Sequence, residues 1–307
     1  MRKRLQNILA ESRLAFPVMM LYAILTWLLA GMTEQGLYLE FALFITSTFT
    51  MLLLNNSNSL IRIYSRMVSC SFIVMTCAAP FLFASAKTTA VQTCMALFYL
   101  SIARSYQDKR APGIVFYSFA AIGTASLWFV QILYFIPFLW VIMASNLMAL
   151  SNKMFWASIV GVVAPYWFIA PYYAWMGNLP ALGDHFAQLA QFGPVTAVTS
   201  LDTHHALTLT AVALLAIIGI IHFLRNSYQD KIRTRMLFEM FITTDLLSLI
   251  FVALQPQHYD ALLPMAIIST SCLYGHFAAL TKTRWTNCVF IIIALMMLGL
   301  TAYNIFF

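Results

Sequence analysis

Arg62 and Arg66 follow Asn55-Asn56-Ser57-Asn58-Ser59, the most polar run that adjoins an apolar stretch of this chain. Guanidiniums hold phosphate through paired hydrogen bonds and carboxamides orient it, so Asn55, Asn56, Arg62 and Arg66 form a candidate site for a phosphate or pyrophosphate. If the stretch is helical, a spacing of four brings both arginines to one face. The plainer alternative is an interfacial loop whose arginines hold anionic lipid and fix topology.

Three carboxylates fall within apolar stretches, where ionisable groups cost free energy and so carry information. Asp245 sits nearest the middle of its stretch, beside Thr243, Thr244 and Ser248, which suits a proton or cation site or an interhelical hydrogen bond. Glu239 has Arg235 one turn away, and Glu40 lies near the end of its stretch. His222 and His276 fall near the ends of theirs, where packing is the expectation. Asp184, His185, Asp202, His204 and His205 gather in or beside one polar loop, yet their spacing matches no metal-ligand pattern, and no metal or cofactor is expected. The five cysteines contain no C-x-x-C pair and imply no redox role. One pentapeptide occurs twice, Ser105-Tyr106-Gln107-Asp108-Lys109 and Ser227-Tyr228-Gln229-Asp230-Lys231. It reads as a lipid-headgroup contact or, more simply, as a polar turn that ends a helix with its tyrosine at the membrane interface.

The elements that must position these residues follow from composition. Of 307 residues 62% are hydrophobic and 9% charged, too few polar side chains to clothe a soluble fold of this size. Apolar runs recur at lengths that suit helices crossing about 30 Å of hydrocarbon. They contain no strand-like alternation. Eleven spans are expected, at 16–31, 37–54, 67–85, 88–103, 111–127, 128–146, 153–175, 205–224, 236–254, 259–280 and 285–306. The fold class is therefore all-α, a polytopic transmembrane bundle in one integral domain, 1–307. Between 111 and 146 only a tight turn within 124–131 separates two spans, and a single re-entrant hairpin is the alternative.

With eleven spans, all 17 lysines and arginines except Lys87 fall on one side. Short cytoplasmic loops retain such an excess, which places the amino terminus inside and the carboxyl terminus outside. The net charge of +7 is then a topology signal and calls for no nucleic-acid partner. Residues 1–15 form a cytoplasmic segment before a first span that is retained rather than cleaved; Leu5 to Leu14 is either a short interfacial helix or irregular. The longest outer loop, 176–204, has an amphipathic stretch from Leu182 to Phe192 bracketed by Pro180 and Pro194. The aromatic residues before it, Tyr166, Trp167, Tyr172, Tyr173 and Trp175, suit an interface belt.

Several short motifs carry a resemblance: Asn55-Asn56 with Arg62 and Arg66, Ser105-Tyr106-Gln107, Ala125-Ser126-Leu127-Trp128 onward to Pro137, Gly161 to Pro165, and Leu263-Pro264. In their arrangement over most of the chain they resemble a bacterial multi-span inner-membrane family of unknown function. The resemblance implies a polytopic fold in the inner membrane and supplies no catalytic residue. Three functions stay open: handling of a lipid-linked, phosphate-bearing substrate in envelope glycan assembly, proton- or cation-coupled transport, and a structural role in an envelope complex. Membrane lipids are the expected partners throughout.

Overall fold

A computed structural model describes residues 4–193 and 201–307. Arg2 and Lys3 of the basic amino-terminal group, and Pro194 with the rest of 194–200 in the long loop, lie outside the described residues. The helices are α1 (Leu5–Glu11), α2 (Ala15–Leu29), α3 (Met32–Gln35), α4 (Tyr38–Asn58), α5 (Met67–Cys77), α6 (Ala86–Ile102), α7 (Pro112–Ser126), α8 (Ile136–Ser145), α9 (Asn152–Trp175), α10 (Pro180–Ala187), α11 (Thr203–Asn226), α12 (Ile232–Leu254), α13 (Tyr259–Leu280) and α14 (Arg284–Phe306). No strand occurs among the described residues.

Each of the eleven expected segments contains helix, and among the described residues six helices (α4, α9, α11, α12, α13 and α14) are long and apolar enough to cross a membrane. The chain is thus a helical membrane protein. α5, α7 and α8 are shorter than hydropathy suggested. α5 has 11 residues, about 16 Å of helix, before Ala78 and Ala79 lead into a 3-10 turn at Pro80–Leu82. Apolar residues in that turn extend the hydropathy signal without extending the helix. α7 ends at Ser126 and helical structure resumes at Val130, so the turn falls within the window expected for it. α1 meets α2 at 91°, a lateral helix where the sequence left helix or irregular chain open. The Gln6 side chain fixes α1 to the end of α13 by donating to the Ala278 carbonyl at 2.9 Å and to the Thr281 hydroxyl.

Caps follow residue type. Ser85 and Ser151 accept backbone N–H groups at the starts of α6 and α9, and Thr283 with Thr286 forms a reciprocal capping box on α14. The core is organised around α13, in which 94% of the most apolar stretch is buried, against 17% for α9 and 22% for α14. α13 is therefore the central helix, wrapped by α5, α6, α11 and α12, while α9 and α14 present most of their side chains outward. α7 and α9 approach through glycines: a β-carbon at Gly123 would collide with the Val162 carbonyl, and one at Gly161 with the Phe116 carbonyl. Such small-residue contacts let helix backbones pack where no water is present to drive association.

Candidate functional site

The polar run after α4 does not continue the helix. Ser59 closes it in the left-handed region (φ 48°), with its N–H bonded to the Asn55 carbonyl. Residues 60–66 are then irregular until α5 begins at Met67. Asn55 holds that segment by donating its side-chain N–H to the Ser65 carbonyl at 2.8 Å. Arg62 and Arg66 consequently do not share a helical face. Arg62 points toward the start of α12, whereas the Arg66 guanidinium lies over the rings of Phe16 and Tyr64 at 5.7 and 5.8 Å. The expected two-arginine clamp does not form, because the αL residue ends the periodicity that would have aligned them.

Facing this segment is the second copy of the pentapeptide. A 3-10 turn at Ser227–Gln229 ends α11, and the Asp230 N–H bonds the Ser227 carbonyl at 3.0 Å. This directs Asp230 inward just ahead of α12, where the helix dipole favours a carboxylate. Its side chain is 1% exposed. One carboxylate oxygen is 3.0 Å from Nε2 of His276, whose side chain is also 1% exposed, and the other is 3.8 Å from the Arg62 guanidinium. The His276 ring is wedged against Phe238 and Phe223, with the His222 ring at 5.4 Å. Arg233 joins three helix ends by donating to the Asn58 side-chain oxygen at 2.8 Å and to the Ala103 carbonyl at 3.2 Å.

Between the two segments lies a cavity of about 430 Å³, within the size range of small-molecule sites. Asn55, Asn56, Arg62, Gln229, Asp230 and Lys231 line it together with Tyr64, Ser65 and Thr234. Two exposed cations and several amide and hydroxyl groups thus face a space whose one carboxylate is already engaged by an imidazole. That arrangement suits an anion with several acceptor oxygens.

No protein family, curated protein or solved structure compared with this chain matches it.

The remaining candidates are placed elsewhere. Asp245 is fully buried in α12, about 21 Å along the helix from Lys231. It accepts a hydrogen bond from the Thr270 hydroxyl at 3.0 Å, next to a knot in which the Tyr99 hydroxyl donates to Thr244 at 2.7 Å and meets Ser269 at 3.0 Å. Asp245 lines neither the polar cavity nor any of four other clefts in the bundle. Glu239 accepts from the Asn146 carboxamide at 2.8 Å, tying α12 to the end of α8. Glu40 lies in the first turn of α4, a favourable place for a carboxylate on dipole grounds.

The histidines in and beside the segment between α9 and α11 diverge. His185 contacts the Tyr166 hydroxyl at 3.2 Å, and partial burial pulls its pKa below the ordinary value. His204 bonds Asn304 at 2.9 Å, and His205 is 3.9 Å from Asp202. Among the described residues no three His, Cys, Asp or Glu side chains converge as metal ligands would.

Sequence reasoning read Asp230 and Lys231 only as part of the repeated pentapeptide and His276 only as a packing residue. The recurrence of the pentapeptide was a signal for the first two. Nothing local marked the Asp230–His276 pair, whose members are 46 residues apart.

Proposed function

We propose that this chain is a bacterial inner-membrane protein of about eleven spans, amino terminus inside and carboxyl terminus outside, that binds a lipid-linked, phosphate-bearing substrate at its cytoplasmic face. The observation that carries this reading is the cavity that joins Asn55, Asn56 and Arg62 to Gln229 and Lys231. Its lining residues lie on the side where nearly all the basic residues fall, which supports a cytoplasmic position. Arg62 and Lys231 would take the phosphate charge and the two asparagines its remaining oxygens, while His276 keeps Asp230 turned toward its own imidazole. The short segments around α5 and α7 are read as spans completed by their 3-10 turns. Transport through Asp245 has less support, since its neighbours are hydroxyls within a packed helix interface.

Native mass spectrometry of the detergent-purified chain tests the reading. A phosphate-ester lipid retained by the wild type and lost from Arg62→Ala plus Lys231→Ala is expected. Equal retention of bulk phospholipid by both proteins, with no other lipid bound, would refute it.

A further inference from the structure

A second cavity, of about 290 Å³, lies on the other side of Arg66. It is an apolar groove between α2, α5 and α14, floored by Leu215 and Tyr274 of the inner helices. Leu14 and Val18 on its rim are more than half exposed, so in a bilayer it opens to hydrocarbon. From Met67 to Met75 it follows α5 for about 12 Å, away from the polar segment and toward the membrane interior.

Arg66 lines neither cavity but lies between them along the chain, directly after Ser65 of the polar one. Its guanidinium lies over Tyr64, which lines the polar cavity, and over Phe16, whose neighbour Ala15 lines the groove. Met67, the next residue, is itself a groove wall. A cation at the junction of a polar pocket and a narrow apolar slot matches a molecule with charge at one end and hydrocarbon at the other. We propose that the α2–α5–α14 groove holds the single hydrocarbon chain of a phosphate or diphosphate ester whose headgroup occupies the Arg62–Lys231 cavity, with Arg66 beside the ester linkage.

This rests on the headgroup reading above and adds where the tail lies and that there is one. A chain already dissolved in lipid gains little hydrophobic free energy by entering the groove. The selection is then by close packing and shape, which favours one slim chain over the paired chains of bulk phospholipid.

The test uses the full chain in lipid nanodiscs and a long-chain alkyl phosphate carrying a diazirine midway along its tail. Irradiation is expected to label groove residues of α5 and α14, and labelling there should fall at least tenfold in Ala294→Phe and in Ala15→Phe, which fill the groove from two different helices. Butyl phosphate should still displace the probe headgroup from both variants, showing that the polar cavity is folded. A two-chain phospholipid with the same diazirine should leave the groove unlabelled.

Labelling spread over outward-facing side chains and unchanged by either phenylalanine, with retention still dependent on Arg62 and Lys231, would overturn the tail site and leave the headgroup site standing. Equal groove labelling by the two-chain probe would overturn the single-chain assignment. Retention of the alkyl phosphate unaffected by Arg62→Ala plus Lys231→Ala would remove the headgroup reading and this inference with it.

Discussion

Asp230 and Asp245 are both buried carboxylates at the two ends of one stretch of chain, one just ahead of α12 and one in its second half. Around Asp230 stand an imidazole at 3.0 Å, a guanidinium at 3.8 Å and the open space of a cavity. Against Asp245 stands the Thr270 hydroxyl at 3.0 Å, inside a packed helix interface. Among the described residues Asp245 makes no ion pair. Depth in the apolar sequence singles out Asp245, whereas the polar cavity lies at Asp230. What distinguishes a group able to hold a binding surface in place is the charge packed around it and its access to a cavity, and neither can be read from hydropathy.

The largest expected effect breaks the Asp230 pair. Removing the hydrogen-bond partner of a buried carboxylate typically costs about 3 kcal/mol, because the carboxylate keeps the cost of burial and loses the compensation. His276→Ala leaves the Asp230 carboxylate with a single distant guanidinium. A loss of about 3 kcal/mol in denaturant unfolding in detergent is expected, and the Asp230→Ala, His276→Ala double-mutant cycle should show a coupling of about 2 kcal/mol. Additive losses in that cycle would mean that the 3.0 Å contact carries no energy of its own.

Asp245 should respond differently. Asp245→Asn keeps an oxygen for the Thr270 hydroxyl and puts an uncharged amide NH2 where the second, unpaired oxygen stood. Stability within about 1 kcal/mol of wild type, or above it, is expected. Thr270→Val should cost about 1 kcal/mol, near the scale of interhelical hydrogen bonds in membranes. If Asp245→Asn cost more than His276→Ala in the same assay, or abolished retention of the bound lipid, the contrast between the two sites would be reversed.

The helical fold was legible in the sequence because it depends on local composition: each expected apolar run contains a helix. Span completeness was less legible, since apolar residues at 78–85 and 127–129 belong to turns yet count as membrane material. Half of the site could be read from the Asn55–Arg66 run. Arg66 was grouped with Arg62 on the condition that the stretch is helical, and after the left-handed Ser59 residues 60–66 are irregular. The other half depends on α13 passing beside the end of α11, a tertiary fact with no local signature.

The smallest expected effect comes from the first copy of the pentapeptide. In both copies the aspartate N–H bonds the serine carbonyl at 3.0 Å, although Gln107 is left-handed (φ 57°) and the second copy forms a 3-10 turn. Asp108, however, stays near solvent and accepts a hydrogen bond from the Arg110 N–H at 2.7 Å, a local turn contact of the kind aspartate favours. Net contributions of such bonds lie near 1 kcal/mol or below, so Asp108→Ala is expected to cost about 0.5 kcal/mol against about 3 for Asp230→Ala. Measuring both in one unfolding assay separates motif from burial. Equal losses would mean that the turn itself sets the energy of each aspartate; a sixfold difference would assign it to His276 and Arg62, the partners that only the second copy meets.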